Sequence, residues 1–431
     1  MLNRLRPWVV GLRTSNPRLY SFILGVARRF MRKRLGVYPR PLAAEERAVR
    51  EVLRSAQWNM VYRGGNLAHE RLEADFAQFT GTREAIAVAS GGVALQMSMR
   101  ALGLKPGDEA IHQIDTCSAT AMATMNAAIT PIFADVSSET FMLDLEQTRS
   151  LIGPNTRAII GTHMWGNPEN LEALRALADS ANLRLIEDSC LALGATAQGR
   201  PAGSRGDVGV FSFGCIKPIQ TGEGGMIVTD DEALARELRA MRHWGDRTID
   251  FGVRDAVQLS WNGRMSEILA ALAREQLRGY PAHLATLREN VAEFERFLRD
   301  MDGLELVLGA GGTLSTAVFT QVVLRIDESR LPCAKAELMR YLAEQGVPAW
   351  HANFELINSL TFFREGRWRE WILRGDLDRI AANYSAPYPS ARRLFNTGGV
   401  GLSKMNFLSS GNLGHLKRVL SKVMSRDWTA S

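Results

Sequence analysis

The sequence predicts an α/β protein, with a mainly parallel central sheet, helices on both of its faces and a smaller C-terminal α+β region. Two observations carry that reading. Short apolar runs alternate with helical stretches from about Glu45 onward, and strands alternating with helices imply right-handed crossovers between parallel strands. The chain has 431 residues, 46% hydrophobic and 23% charged, enough for two domains with well-buried cores. The expected division is a basic extension over residues 1–40, a large α/β domain over 41–285 and a small α+β domain over 286–431.

The first forty residues carry ten basic side chains and no acid, so a chain of net charge +6 leaves −4 for the remainder. Within them Leu19, Phe22, Ile23, Val26 and Phe30 recur at helical spacing, while Arg28, Arg29, Arg32 and Lys33 crowd the end. Two readings fit: a helix lying on an anionic membrane surface, and a helix packed on the protein's own body or a partner subunit. The uncharged run Leu19–Ala27 is short of the ~20 residues a spanning helix needs. It also lacks the small-residue cleavage site that should follow a signal-peptide core.

Strands are expected at Ala85–Ala89, Glu109–His112, Pro131–Ala134, Arg157–Gly161, Leu183–Glu187, Val208–Phe213 and Met226–Thr229. Ser90-Gly91-Gly92 joins the first to a helix over Val93–Leu102, and such a glycine turn offers free N–H groups and a helix dipole to a phosphate. Asn262 to Glu267 opens a helix with Ile268, Leu269 and Leu272 on one face, and a second long helix runs around Val291, Phe294 and Leu298. Strands near Leu304–Leu308 and Ala317–Ile326 and a helix over Pro332–Gln345 make the smaller domain.

Composition excludes several functions. The slightly acidic body has no electrostatic footprint for nucleic acid, and no nucleic-acid motif is present. Cys117, Cys190, Cys215 and Cys333 form no CxxC pair, which points to reduced thiols in a cytoplasmic compartment. Neither these nor the seven histidines have metal-ligand spacing.

Chemistry is expected at Phe211–Gly225, where Lys217 is a lone cation in an apolar, glycine-rich segment. Pro218 favours an extended Lys217, while Gly222, Gly224 and Gly225 permit tight positive-φ turns that bring main chain close to a ligand. A desolvated ammonium deprotonates easily, and a neutral amine forms a Schiff base with a carbonyl. A hairpin whose lysine snorkels to solvent accounts for the segment equally well. Asp188 lies beyond the carboxyl end of its strand, where ligands of such sheets sit, although an aspartate there also serves as a helix cap.

Ser212-Phe213, Lys217 and Thr221-Gly222-Glu223-Gly224-Gly225 resemble the pyridoxal-phosphate lysine loop of the DegT/DnrJ/EryC1/StrS aminotransferases. Ser90-Gly91, His163 to Pro168, Glu187-Asp188 and Asn262 to Glu267 have counterparts in the same order, so most of residues 57–300 is covered. The resemblance implies a fold type I enzyme that binds pyridoxal 5'-phosphate and acts as a homodimer with shared active sites. It makes Lys217 the Schiff-base lysine and proton shuttle, and Asp188 the partner of the pyridine nitrogen. It gives the cofactor phosphate to Ser90, Gly91, the Gly92 position and Ser212, with Asn262 reaching across from the other subunit.

The sequence departs from the family pattern at three cofactor contacts. Gly92 stands where a threonine is usual, Leu191 where a glutamine or histidine follows the aspartate, and Cys117 where an aromatic ring stacks on the cofactor. Glu187-Asp188-Ser189-Cys190 and His243-Trp244-Gly245 are also similar to sugar 3-dehydrases, but those carry histidine at the Lys217 position. The reading is therefore an aminotransferase passing nitrogen from glutamate or glutamine to a keto sugar, expected to be nucleotide-linked, in polysaccharide or secondary-metabolite biosynthesis. A dehydrase-like enzyme and a non-catalytic regulatory member of the fold are the alternatives.

Overall fold

The computed structural model describes residues 43–60, 67–246, 255–309, 312–352 and 356–425. The basic segment over residues 1–40 lies outside them. Among the described residues no helix is long and apolar enough to cross a membrane.

Each stretch read as a strand in the large domain forms one: β1 (Glu84–Val88), β2 (Glu109–Gln113), β3 (Thr130–Ala134), β4 (Thr156–Thr162) and β5 (Arg184–Asp188). A small hairpin, β6 (Thr196–Ala197) with β7 (Arg200–Pro201), precedes β8 (Val208–Ser212) and β9 (Gly225–Thr229). The seven-stranded sheet has the order β1-β9-β8-β5-β4-β2-β3. Pairing is parallel from β8 to β3, and β9 runs antiparallel to both of its neighbours. Alternate residues feed opposite faces: Ile160, Ile186, Val210 and Ile227 pack with Leu95 and Leu238 in one core, while Ile159 and Leu185 pack with Leu174 and Leu177 in another. Burial on both faces is why these strands read as nearly continuous apolar runs.

One correction concerns the helices after the sheet. The two read from the sequence are a single helix, Glu267–Leu298, that passes through Pro281. Pro281 removes one main-chain donor, but Tyr280 before it and Leu284 a turn after it are buried and hold the helix together. Tyr280 and Leu284 sit in the large domain's core, and its hydroxyl ties Tyr280 to the Leu193 carbonyl at 2.8 Å. Leu287, Val291, Phe294 and Leu298 sit in the core of the smaller unit. Ala270, Ala271 and Ala273 form the buried face at its start, and Ile268, Leu269 and Leu272 stay half-exposed.

The smaller unit has a four-stranded antiparallel sheet ordered β10 (Leu304–Leu306), β11 (Gln321–Ile326), β13 (Gly399–Ser403), β12 (Ala349–His351). The helix Lys335–Glu344 lies within the span expected for it. The sequence reading did not find β12 and β13, because three residues or a glycine-alternating run carry little strand signal.

A buried carboxylate fixes the end of the parallel sheet. Glu187, fully buried near the end of β5, accepts from His163 Nε2 at 2.9 Å and from the backbone N–H groups of Gly203, Arg205 and Gly206 at 2.8, 2.6 and 2.5 Å. His163 Nδ1 accepts from the Glu169 backbone N–H at 2.9 Å, so Nε2 carries the proton given to Glu187. The loop held in this way runs against β8: a Cβ on Gly209 would stand 2.2 Å from the Gly203 carbonyl oxygen.

Gly209→Ala is therefore expected to cost at least about 1–3 kcal/mol, since backbone cannot move aside as a side chain can. A urea midpoint equal to wild type would contradict the close approach. Glu187→Ala leaves four donors unpaired and should cost about 3–5 kcal/mol. Burial raises the Glu187 carboxyl, but His163 and the backbone donors outweigh it and hold the group below the ordinary 4.5. That contribution is present above the ordinary value and is lost as pH falls through the lower folded one. Unfolding free energies from pH 7 down to 3 should therefore converge for wild type and Glu187→Ala, and a constant gap would refute the role.

Candidate functional site

The carboxyl ends of β5 and β8, the turn after β1 and the Lys217 loop meet at one edge of the large domain. Ser90 is the N-cap of the helix Gly91–Ala101, its Oγ accepting from the Val93 N–H at 3.2 Å. The turn is pressed onto the sheet. A Cβ on Gly225 would lie 2.6 Å from the Ser90 carbonyl carbon, and one on Gly91 would lie 2.8 Å from Ser212 Cβ and 3.1 Å from Cys190 Sγ. Gly92 is different: an added Cβ would approach only Ser90 Oγ, at 3.8 Å, so the first helical turn opens there onto free space. Ser90, Gly91, Gly92 and Ser212 are thus gathered around one helix N-terminus, an arrangement suited to a phosphate.

Asp188 ends β5 and is buried. Thr120 Oγ1 donates to its Oδ2 at 3.0 Å, and the Cys190 N–H approaches Oδ1 at 3.3 Å. Thr120 belongs to the helix Ser118–Asn126, whose N-cap is the exposed Cys117. The Cys190 thiol is driven well above its usual range, first by burial and then by the Asp188 carboxylate, with Lys217 acting the other way. The Cys190 thiol therefore lies within electrostatic reach of both the Asp188 carboxylate and the Lys217 ammonium. His112 on β2 adds a buried imidazole whose Nε2 has no hydrogen-bond partner among the described residues; burial pushes it down to about 4.

The Lys217 loop is closed by main chain: Phe213 N–H donates to Gly224 O and Thr221 N–H to Phe213 O, both at 2.9 Å. Gln276 clasps it from the long helix, accepting from the Gln220 N–H at 2.7 Å and donating to the Gln220 carbonyl at 2.8 Å. Lys217 is half-buried, between an exposed Ile216 and a buried Pro218. Gly222 and Gly224 have positive φ, as expected. Gly225 does not; it sits in β9, where its missing Cβ makes room for Ser90. The positive φ that the sequence does not announce is at Ile216, +67°.

Two of the substituted positions have clear surroundings. Leu191 packs its side chain against the core on the Ile159 face, and its carbonyl accepts from Thr320 Oγ1 at 2.5 Å. Cys117 presents a short thiol where a ring would need to stand. Asn262 is exposed on the strand-like segment that joins the long helix to β1, with His243 bridging it and the Ala89 N–H bonding the next residue, Gly263, at 2.8 Å.

These residues fit pyridoxal phosphate. The turn at Ser90 to Gly92, with Ser212 beside it, offers N–H groups, two hydroxyls and open space to its phosphate. Asp188 offers a buried carboxylate, and Lys217 an amine on a fixed loop. Two further residues at the site carry no local family motif: Thr120 and Lys404, whose Nζ donates to the Lys217 carbonyl at 2.9 Å. Thr120 was discoverable as the residue one turn on from Cys117. Lys404 is a lone charge in the otherwise uncharged stretch 394–414, the same signal that marks Lys217.

Comparison with known proteins identifies the fold and the family. 3-Amino-5-hydroxybenzoic acid synthase is 25% identical, with a TM-score of 0.78 over 90% of this chain and 98% of its own. DesV from S. venezuelae is 25% identical, with a TM-score of 0.76 over 95% and 97%. DesI, solved in the presence of its TDP-sugar product, is 28% identical, with a TM-score of 0.72 over 90% and 92%. These neighbours carry the fold type I arrangement of a mostly parallel sheet domain with a smaller second sheet. Residues 42–367 match a single family over about three quarters of the chain, and the protein belongs to it: the DegT/DnrJ/EryC1/StrS aminotransferase family of pyridoxal-phosphate-dependent enzymes.

Proposed function

We propose that this aminotransferase passes nitrogen from glutamate or glutamine to a keto sugar, nucleotide-linked, with Lys217 as the residue that bonds the cofactor and moves the proton. The observation that carries the reading is that Lys217, on its clasped loop, and the buried Asp188 both act on the Cys190 thiol, two residues beyond Asp188. The TDP-sugar product of DesI supports the nucleotide-sugar part. Lysine at 217 favours amino transfer over dehydration.

Pyridoxal phosphate, when bound, supplies an electron sink that stabilises the carbanion left when a proton is removed beside the amino group. The protein's residues supply the rest. The Asp188 carboxylate, oriented by the Thr120 hydroxyl, holds a proton on the ring nitrogen, and charge at that nitrogen draws electrons away from the reacting carbon. With the cofactor bound, the Lys217 amine would be the base that moves the proton between the reacting carbons. Ser90, Ser212 and the N–H groups of Gly91 and Gly92 hold the phosphate, so the ring cannot slide along the site.

Asn262 completes the phosphate site of the neighbouring subunit in a homodimer. Its exposure, beside the half-exposed Trp244 and Trp58, supports that arrangement. All four cysteines are free, in keeping with a cytoplasmic enzyme. The basic segment over residues 1–40 would add a peripheral contact with anionic lipid.

Lys217→Ala should abolish the borohydride-fixed link between pyridoxal phosphate and the protein and lower turnover by at least about a thousandfold. Mass spectrometry of the reduced protein decides it; a link surviving in the variant would move the role elsewhere. Asp188→Asn should still bind the cofactor but turn over about a hundredfold more slowly, because an amide cannot hold the ring nitrogen protonated. Unchanged rates of the cofactor's spectral response to glutamate would remove Asp188 from the mechanism.

A further inference from the structure

We propose that Lys404, from the smaller domain, is a positioning residue for Lys217: it holds the strained turn at Ile216 and so aims the cofactor lysine. The inference rests on the reading of Lys217 as that lysine and adds a second residue to it, from a different domain.

Lys404 follows β13 directly and is buried. Its Nζ donates to the carbonyls of Lys217 at 2.9 Å and of Ile216 at 3.3 Å. A buried ammonium must find acceptors, and it finds the two carbonyls on either side of the turn that carries the lysine. The Lys217 carbonyl also accepts from Gln220 Nε2 at 3.1 Å, so it is the Ile216 carbonyl, at the strained residue itself, that leans on Lys404. Pro218 has no N–H and keeps Lys217 out of the helical region, so the ladder that closes the base of the loop cannot extend to its tip. Ile216 meanwhile occupies the left-handed region at φ +67°, where a β-branched side chain is under strain. Strain of this kind persists only where the surroundings impose it.

The donor itself is anchored. Ser403 Oγ accepts from the Met405 N–H at 3.2 Å, Ser403 N–H and Asn406 Nδ2 both donate to the Pro348 carbonyl, at 3.0 and 3.1 Å, and Asn290 of the long helix donates to Phe407 O at 2.7 Å. The short helical turn Lys404–Phe407 is thus tied to its own sheet and to the helix that joins the domains. Burial, followed by the Lys217 charge, pushes the Lys404 ammonium down to about 8, which agrees with two cations held at the same turn.

The test reads how well Lys217 captures the cofactor, apart from turnover. Full-length wild type, Lys404→Met and the double variant Lys404→Met/Ile216→Gly are titrated with pyridoxal phosphate and reduced with borohydride. The Lys217 peptide is quantified by mass spectrometry, and the induced circular dichroism of the bound cofactor is recorded. Lys404→Met should need about tenfold more cofactor for half-capture and show a weaker induced signal. Glycine accepts positive φ without a Cβ clash, so the double variant should recover most of that loss. This recovery decides the matter even if Lys404→Met lowers the melting temperature, because a general loss of packing would not be repaired by a glycine at 216. Capture by Lys404→Met at the wild-type concentration, or a double variant no better than the single one, overturns the proposal. A wild-type protein that forms no link at Lys217 would overturn the proposed function itself and this inference with it.

Discussion

Two neighbouring carboxylates are buried at the end of β5, and the arrangement of the site follows from how each is satisfied. A buried charge is tolerable only with partners, and strand geometry sends successive side chains to opposite faces. Glu187 is saturated by His163 and three backbone N–H groups. It therefore acts as a structural tie that holds the loop before β8. Asp188 accepts from the Thr120 hydroxyl and from Cys190, a smaller donor set than that of Glu187, which leaves acceptor capacity for the site. One carboxylate fixes where β8 begins, and β8 ends at Ser212 and the lysine loop. The other stands ready for a ring nitrogen. The His163 N–H bonded to the Asp188 carbonyl at 3.1 Å keeps β4 and β5 level at this point.

The parallel part of the fold is legible from sequence because strands buried on both faces appear as apolar runs, and most connections between them contain glycine or proline. The smaller sheet is less so. Its β12 is short and its β13 alternates with glycine, so neither carries the branched, bulky pattern that marks a strand. In the site, Lys217, Asp188 and Ser90 sit on local signals: a cation among apolar neighbours, an acid at a strand end, a cap before a helix. Thr120 and Lys404 act on residues 68 and 187 positions away, and no local pattern records such a meeting. The strain at Ile216 is hidden for a related reason. Glycines announce positive φ, whereas an isoleucine takes it only when tertiary contacts impose it.

The three departures from the family pattern now have surroundings, and on the proposed roles they affect binding more than chemistry. Cys117 gives up stacking area, Leu191 turns its side chain into the core, and Gly92 leaves free space at the phosphate turn where a hydroxyl would stand. Each loss weakens the hold on the cofactor by similar amounts at every stage of the reaction. Such uniform binding affects how much cofactor must be present, not how fast the bound complex reacts. The groups proposed to act differently between ground and transition states, the Asp188 carboxylate and the Lys217 amine, are retained with their supports. A site with fewer contacts to the ring depends more on whatever orients its lysine. That is the position in which Lys404 stands, reaching from the second domain to the two carbonyls beside Lys217.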